Sequence, residues 1–206
     1  MQELNKALYA ITDETLTPDS SVLQQVEESI KAGINILQYR NKTKTDEEVK
    51  DICKALQKLC TKHGVTFIVD DRPHLAQDIG ADGLHIGKDD MPLAKAREIF
   101  KKGIIGVSCY GSVKKALEAQ NEGATYVAFG SFYPSPTKPH SGIISHSIIK
   151  KAKEALDIPV CVIGGISHEN IKEIAKENPD MISVVSAVYD GCITTNVKRL
   201  LNEMRE

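Results

Sequence analysis

The chain has 206 residues, enough for one sizeable hydrophobic core and few for two. A net charge of −2 and a pI of about 6.3 exclude the basic footprint of a nucleic-acid or anionic-membrane binder, and no apolar run approaches a membrane span. The five cysteines are dispersed, with no Cys-x-x-Cys pair. Together with a start that lacks signal-peptide regions, they predict reduced thiols in a cytoplasmic protein and argue against a structural zinc site.

A single pattern recurs along the chain. An amphipathic segment stops at a glycine, and an apolar run begins one or two residues later, as at Gly33, Gly64, Gly80, Gly103 and Gly123. Glycine most easily takes the left-handed position that ends a helix. The alternation predicts strands at 7–12, 34–39, 65–69, 83–86, 104–107, 125–129, 159–163 and 181–185. Helices are predicted between and after them at 20–32, 45–63, 73–79, 92–101, 112–122, 145–156, 168–177 and 194–204. Eight β-then-α units predict a (β/α)8 TIM barrel in one domain spanning 1–206. A doubly wound open sheet is the alternative, but no Gly-x-Gly-x-x-Gly follows the first strand.

In such a barrel the chemistry sits where the strands end, and these ends are polar. After the second strand comes QYRNK. Continued strand geometry would put Gln38, Arg40 and Lys42 on one side, and Tyr39 and Asn41 on the other. One donor and two cations suit a diphosphate. The third and fourth strands both end in acid pairs, Asp70-Asp71 and Asp89-Asp90, and parallel strands bring both pairs to one edge. Carboxylates gathered there repel one another, and Mg²⁺ bound with phosphate oxygens relieves the repulsion. A set of solvated surface acids is the competing explanation.

The one long loop, 130–142, carries Ser135, Thr137 and Lys138 among three prolines, and reads as functional rather than as a joint. Gly164-Gly165 after the seventh strand and Ser186 after the eighth stand where barrels hold phosphate. His85 reads as a satisfied inward-facing core residue and His140 as exposed. Ser108 could hydrogen-bond a ligand but has no sequence neighbour that would make it a nucleophile.

With QYRNK, VDDR, GLHIGKDD, GVS, SPTKP, IGGI and VVSA in this order, the sequence resembles the thiamine phosphate synthases over almost its whole length. The resemblance implies joining of hydroxymethylpyrimidine diphosphate to a thiazole phosphate, with release of diphosphate and dependence on Mg²⁺. It implies that Gln38, Arg40 and Lys42 bind the pyrimidine diphosphate, that Asp71 and Asp90 ligate Mg²⁺ and that Ser108 touches the pyrimidine. Ser135 and Thr137 would contact the thiazole phosphate and Lys138 the diphosphate, with Gly165, Val185 and Ser186 holding the thiazole's phosphate. Arg40, Lys42 and Lys138 would carry the catalytic charge neutralisation. The partners would be small-molecule substrates, with no nucleic acid or membrane; a homo-oligomer stays open.

Three positions depart from the family pattern. Asp70 stands where the family usually has Asn, Lys88 where Gln is common, and Ser135 where Thr is usual. An acceptor-only carboxylate in place of an amide N–H would repel diphosphate. Alternatively, Asp70 is recruited around the metal with Lys88 as its counter-charge. Two other functions compete. A thiazole tautomerase-like isomerase would need a His shortly after Gly-Val-Ser, where the run here is Ser108-Cys109-Tyr110-Gly111. A non-catalytic phosphate-binding barrel would keep the pocket without turnover.

Overall fold

The computed structural model describes residues 4, 6–134 and 142–205. Strands β1 (Ala7–Ile11), β2 (Ile36–Tyr39), β3 (Thr66–Asp70), β4 (Gly83–Ile86), β5 (Ile104–Tyr110), β6 (Tyr126–Phe129), β7 (Val160–Ile163) and β8 (Met181–Val184) form a closed barrel. Every neighbouring pair is parallel, and β8 pairs back onto β1. Helices α1 (Val22–Ala32), α2 (Asp46–His63), α3 (Pro73–Ile79), α4 (Leu93–Ile99), α5 (Val113–Asn121), α6 (Ser147–Ala155), α7 (Ile171–Lys176), α8 (Ser186–Tyr189) and α9 (Ile193–Glu203) complete it. The (β/α)8 TIM barrel is the architecture expected. Among the described residues no helix is long and apolar enough to cross a membrane.

Local chemistry explains the element ends. Thr45 caps α2 by accepting from the Glu48 N–H, while the Glu48 carboxylate takes the Thr45 N–H, a reciprocal box that satisfies two orphan donors. Gly64 and Gly80 close α2 and α3 in the left-handed conformation. Two cores result. The larger lies between strands and helices and includes Leu37, Phe67, Leu84, Ile105, Val127 and Val162. The smaller fills the barrel interior with Tyr9, Ile36, Ile68, Ile104, Tyr126 and Met181. Each strand therefore sends alternate residues to two apolar environments, which is why the strands read as continuous apolar runs.

Most element ends shift by a residue or more from expectation, and four of the differences bear on the site. Strand β2 starts at Ile36 rather than at 34, because the Asn35 side chain takes the Leu8 N–H at 3.0 Å. Strand β3 includes Asp70, paired in register with His85. Strand β5 runs on to Tyr110 through a register shift between Ser108 and Tyr110. After β8 the chain turns at once into the short helix α8, so Ser186 opens a helix rather than standing in a loop.

Candidate active site

The carboxyl ends of the strands surround a cavity of about 460 Å³. Its size is ordinary for a small-molecule site. Gln38, Arg40, Lys42, Asp70, Asp90, Ser108, Gly165, Val185 and Ser186 all line it. Tyr39 and Asn41 do not. Tyr39 is buried in the outer core, and Asn41 Oδ1 accepts the Thr43 and Lys44 N–H groups at 3.1 and 2.9 Å, shaping the turn. The alternation expected across QYRNK is what the backbone does.

The acidic edge is organised around Lys42. Its Nζ lies 3.0 Å from Asp70 Oδ2, in close contact with Asp71 Oδ2 and 3.9 Å from Asp90 Oδ1. Asp71 reaches this position on a left-handed backbone, with φ 54°. Asp90 is held from behind, its Oδ2 accepting the Gly87 N–H at 2.6 Å. Arg40 completes the group, its Nη1 3.3 Å from Glu14 Oε2 and its Nε 3.8 Å from Asp70 Oδ2.

Burial raises the pKa of the Asp70 carboxyl, with Lys42 and Arg40 offsetting part of the effect. Burial also raises that of Asp71, against the pull of Lys42. Burial alone would lower that of the Lys42 ammonium, yet Asp70 and Asp71 together outweigh it and raise it. The expected pairing of Asp70 with Lys88 does not form. Among the described residues the ion-pair partners of Asp70 are Lys42 and Arg40, while the Lys88 N–H donates to the Tyr110 hydroxyl at 3.3 Å. Lys88 lies on the exposed rim, beyond the buried carboxylate. Asp70 faces the cavity.

A test of this burial is direct. At pH values between the unfolded and the raised folded pKa, the Asp70 carboxyl holds a proton in the folded state that the unfolded chain has lost. Stability therefore falls as pH rises from the unfolded value, about 3.9, through the raised folded value. Asp70→Asn removes that fall. Its Tm in chelator should exceed the parent's at pH 7, and by less at pH 4. An equal or lower Tm at pH 7 would contradict the assigned cost of burial.

Among the described residues no cluster of three or more His, Cys, Asp or Glu is arranged to hold a metal ion. Mg²⁺ commonly takes one or two carboxylates and fills its remaining positions with water and phosphate oxygens. Asp71 and Asp90 meet that lesser requirement, because both already face one cation, the Lys42 ammonium.

The opposite wall is built from glycine. Gly164 and Gly165 have φ values of 106° and 66°. A Cβ on Gly165 would stand 2.4 Å from the Pro134 carbonyl oxygen, and one on Gly164 would stand 2.3 Å from Ser131 Oγ. Side chains are absent here because the segment that follows β6 presses on the turn that follows β7. Asn170 then clasps the turn, donating to the Gly165 carbonyl at 3.0 Å and accepting the Ser167 N–H at 2.9 Å. Ser135, Thr137, Lys138 and His140 lie outside the described residues.

The expectations from sequence assign no floor to the cavity, and the structure builds one from side chains of β1, β2, β4, β5 and β6. Gln38 Nε2 donates to the Tyr9 hydroxyl at 2.7 Å, and Tyr9 meets the Tyr126 hydroxyl at 3.0 Å. Tyr126 meets His85 Nδ1 at 2.8 Å, and His85 Nε2 meets Ser108 Oγ at 2.9 Å. His85 is thus hydrogen-bonded, as expected of an inward-facing core residue, but it also lines the cavity. The sequence signal for this floor is Gly106, a glycine inside an apolar strand. It pairs with Tyr126 in register, and a Cβ there would lie 2.0 Å from the tyrosine ring.

A family model described as thiamine monophosphate synthase matches residues 8–188. The chain belongs to the thiamine monophosphate synthase family. A thiamine-phosphate synthase of Wolinella succinogenes is 45% identical, the match covering 87% of this chain and 84% of that one. One of Caldanaerobacter subterraneus subsp. tengcongensis is 36% identical, covering 100% and 96%. Among solved structures, a thiamine phosphate pyrophosphorylase from Pyrococcus furiosus superposes with a TM-score of 0.90 at 35% identity, covering 98% and 97%. This thiamine monophosphate synthase family member is thus an enzyme of the transferase type that acts on small molecules.

Proposed function

We propose that the chain joins hydroxymethylpyrimidine diphosphate to a thiazole phosphate, with Mg²⁺, to give thiamine phosphate and diphosphate. The observation that carries this reading is one cavity lined by Lys42, Arg40, Asp70 and Asp90 on one side and the Gly164-Gly165 turn on another, with Asp71 reaching Lys42 from outside the lining. One wall offers charge for a diphosphate with its metal, and the other offers close backbone approach for a monophosphate. Asp71 and Asp90 would hold Mg²⁺, which neutralises charge on the departing diphosphate. Arg40 and Lys42 add to that neutralisation, and Lys138 is assigned the same role. Gln38 and Ser108 orient the pyrimidine, and Ser135, Thr137, Gly165, Val185 and Ser186 hold the thiazole phosphate.

The C–O bond to diphosphate breaks and the thiazole nitrogen forms the new C–N bond, so no protein nucleophile is required. The chain's work is positioning and electrostatic stabilisation. Tyr9 and Tyr126, both nearly inaccessible, seal the floor against the water that would trap an electron-poor pyrimidine carbon. A cytoplasmic place of action is supported by the phosphorylated substrates and by five free thiols, four of them buried.

The test is product formation from the two substrates with Mg²⁺, lost on adding chelator. No thiamine phosphate under these conditions would overturn the reading. The division of the cavity has its own test. Ser186→Asp puts a negative charge beside the proposed monophosphate seat. It should raise the KM for the thiazole phosphate on the order of tenfold, and that for the pyrimidine diphosphate far less. Equal effects on both would show that the two seats are wrongly divided.

A further inference from the structure

The chain of side chains beneath the cavity has a direction. Gln38 presents Nε2, which only donates, so the Tyr9 oxygen accepts there and its one hydrogen must go elsewhere. Tyr9 is 1% exposed, and an unspent donor at such depth is costly. The neighbour in reach is the Tyr126 oxygen at 3.0 Å. Having accepted from Tyr9, Tyr126 gives its own hydrogen to His85 Nδ1 at 2.8 Å. An accepting Nδ1 makes the imidazole neutral, with its hydrogen on Nε2, and that hydrogen points to Ser108 Oγ at 2.9 Å. The Ser108 oxygen is then an acceptor from the protein, and its hydrogen is left for the cavity. Each link carries one hydrogen, so the amide of Gln38 fixes the hydroxyl of Ser108, four hydrogen bonds away on the other side of the barrel.

The arrangement is built in. Strand β5 omits a side chain at Gly106, where a Cβ would stand 2.0 Å from the Tyr126 ring, and His85 stacks on the same ring at a centroid distance of 5.6 Å. Burial raises the pKa of both phenols, which keeps them neutral donors.

We infer that Tyr9, Tyr126 and His85 are positioning residues that polarise the barrel floor, so that Ser108 meets a bound pyrimidine as a hydrogen-bond donor to a ring nitrogen. The identity of that ligand rests on the function proposed above; the polarity of the floor does not. The Gln38 amide atom not used in the chain is its carbonyl oxygen, an acceptor suited to an amino substituent. A floor with an acceptor at one end and a donor at the other selects an aminopyrimidine over an oxo-substituted ring, whose N–H and C=O groups are reversed.

The deciding measurement is a long-range ¹H–¹⁵N correlation spectrum of the ligand-free protein at pH 8, with the His85 ring assigned by its loss in His85→Gln. The expected result is the Nε2–H tautomer. An Nδ1–H tautomer, or a doubly protonated ring, overturns the inference. Tyr126→Phe keeps the ring and removes only the hydroxyl, and should let the Nδ1–H tautomer appear.

In kinetics, Tyr126→Phe should raise the KM for the pyrimidine diphosphate on the order of tenfold, with kcat within about twofold. It should add nothing in a Ser108→Ala background, because its effect passes through that hydroxyl. Additive losses in the double variant overturn the link to Ser108. If the expected tautomer is found while no variant, nor the parent, makes thiamine phosphate, the proposed function fails and the polarity stands.

Discussion

Asp90→Ala is expected to lower turnover by roughly a hundredfold or more, the scale of losing a main element of electrostatic stabilisation. Asp90 lies in the turn that follows β4, with one oxygen fixed by the Gly87 N–H and the other turned toward Lys42. Truncation removes a proposed Mg²⁺ ligand and leaves Lys42 bound to Asp70 and Asp71 alone. The loss should appear in kcat at saturating substrates and be only partly recovered by more Mg²⁺. A binding readout makes the test independent of chemistry: the Tm rise that Mg²⁺ with diphosphate gives the parent should shrink in the variant. Asp71 needs a different substitution, because its backbone is left-handed at φ 54°. Asp71→Asn keeps a residue that tolerates that conformation and should still cost turnover of the same order. Parent-like activity of either variant in metal-depleted buffer would defeat the metal assignment.

Gly165→Ala is expected to damage both the seat and the fold. At φ 66° a side chain costs roughly 1–2 kcal/mol. The added Cβ would also meet the Pro134 and Tyr133 carbonyl oxygens at 2.4 and 2.6 Å, which are backbone atoms with little room to retreat. Overpacking of this kind costs about 1–3 kcal/mol more, so Tm should drop by roughly 10 °C. Because the displaced segment flanks the proposed monophosphate seat, the KM for the thiazole phosphate should rise more than that for the pyrimidine diphosphate. An unchanged Tm would mean that the segment after β6 and the turn after β7 are not locked together.

The parts of this molecule that can be read from sequence are those with a local cause. Gly64 and Gly80 announce helix ends because a left-handed residue is needed there whatever the surroundings. QYRNK can be read face by face because alternation is a property of the strand itself. The acid pairs could be placed on one edge because parallel strands share a direction.

What could not be read depends on partners distant in sequence. Tyr9 and Tyr126 sit in strands buried on both sides, where alternation does not tell the barrel interior from the outer core, and their hydroxyls meet across 117 positions. Lys88 suggests itself as the counter-charge for Asp70 because it sits in the neighbouring strand's loop. Strands β2 and β4 both neighbour β3, and it is Lys42, beyond β2, whose ammonium reaches Asp70, while Lys88, beyond β4, is exposed. The bulge in β5 and the helical turn at Ser186 likewise follow from packing rather than from any residue that announces them. The seat assigned to Ser135, Thr137 and Lys138 falls in the loop outside the described residues.

The missing side chain at Gly106 has a consequence for how this chain can change over generations. Alanine at 106 is a mild substitution by any general scale and would be tolerated on most strands, yet here it is incompatible with the ring at 126. The two positions are therefore contingent on each other. A library randomised at both should return larger residues at 106 only beside a small residue at 126, and such survivors should fold while losing recognition of the pyrimidine. Tyrosine at 126 should be recovered with glycine alone at 106.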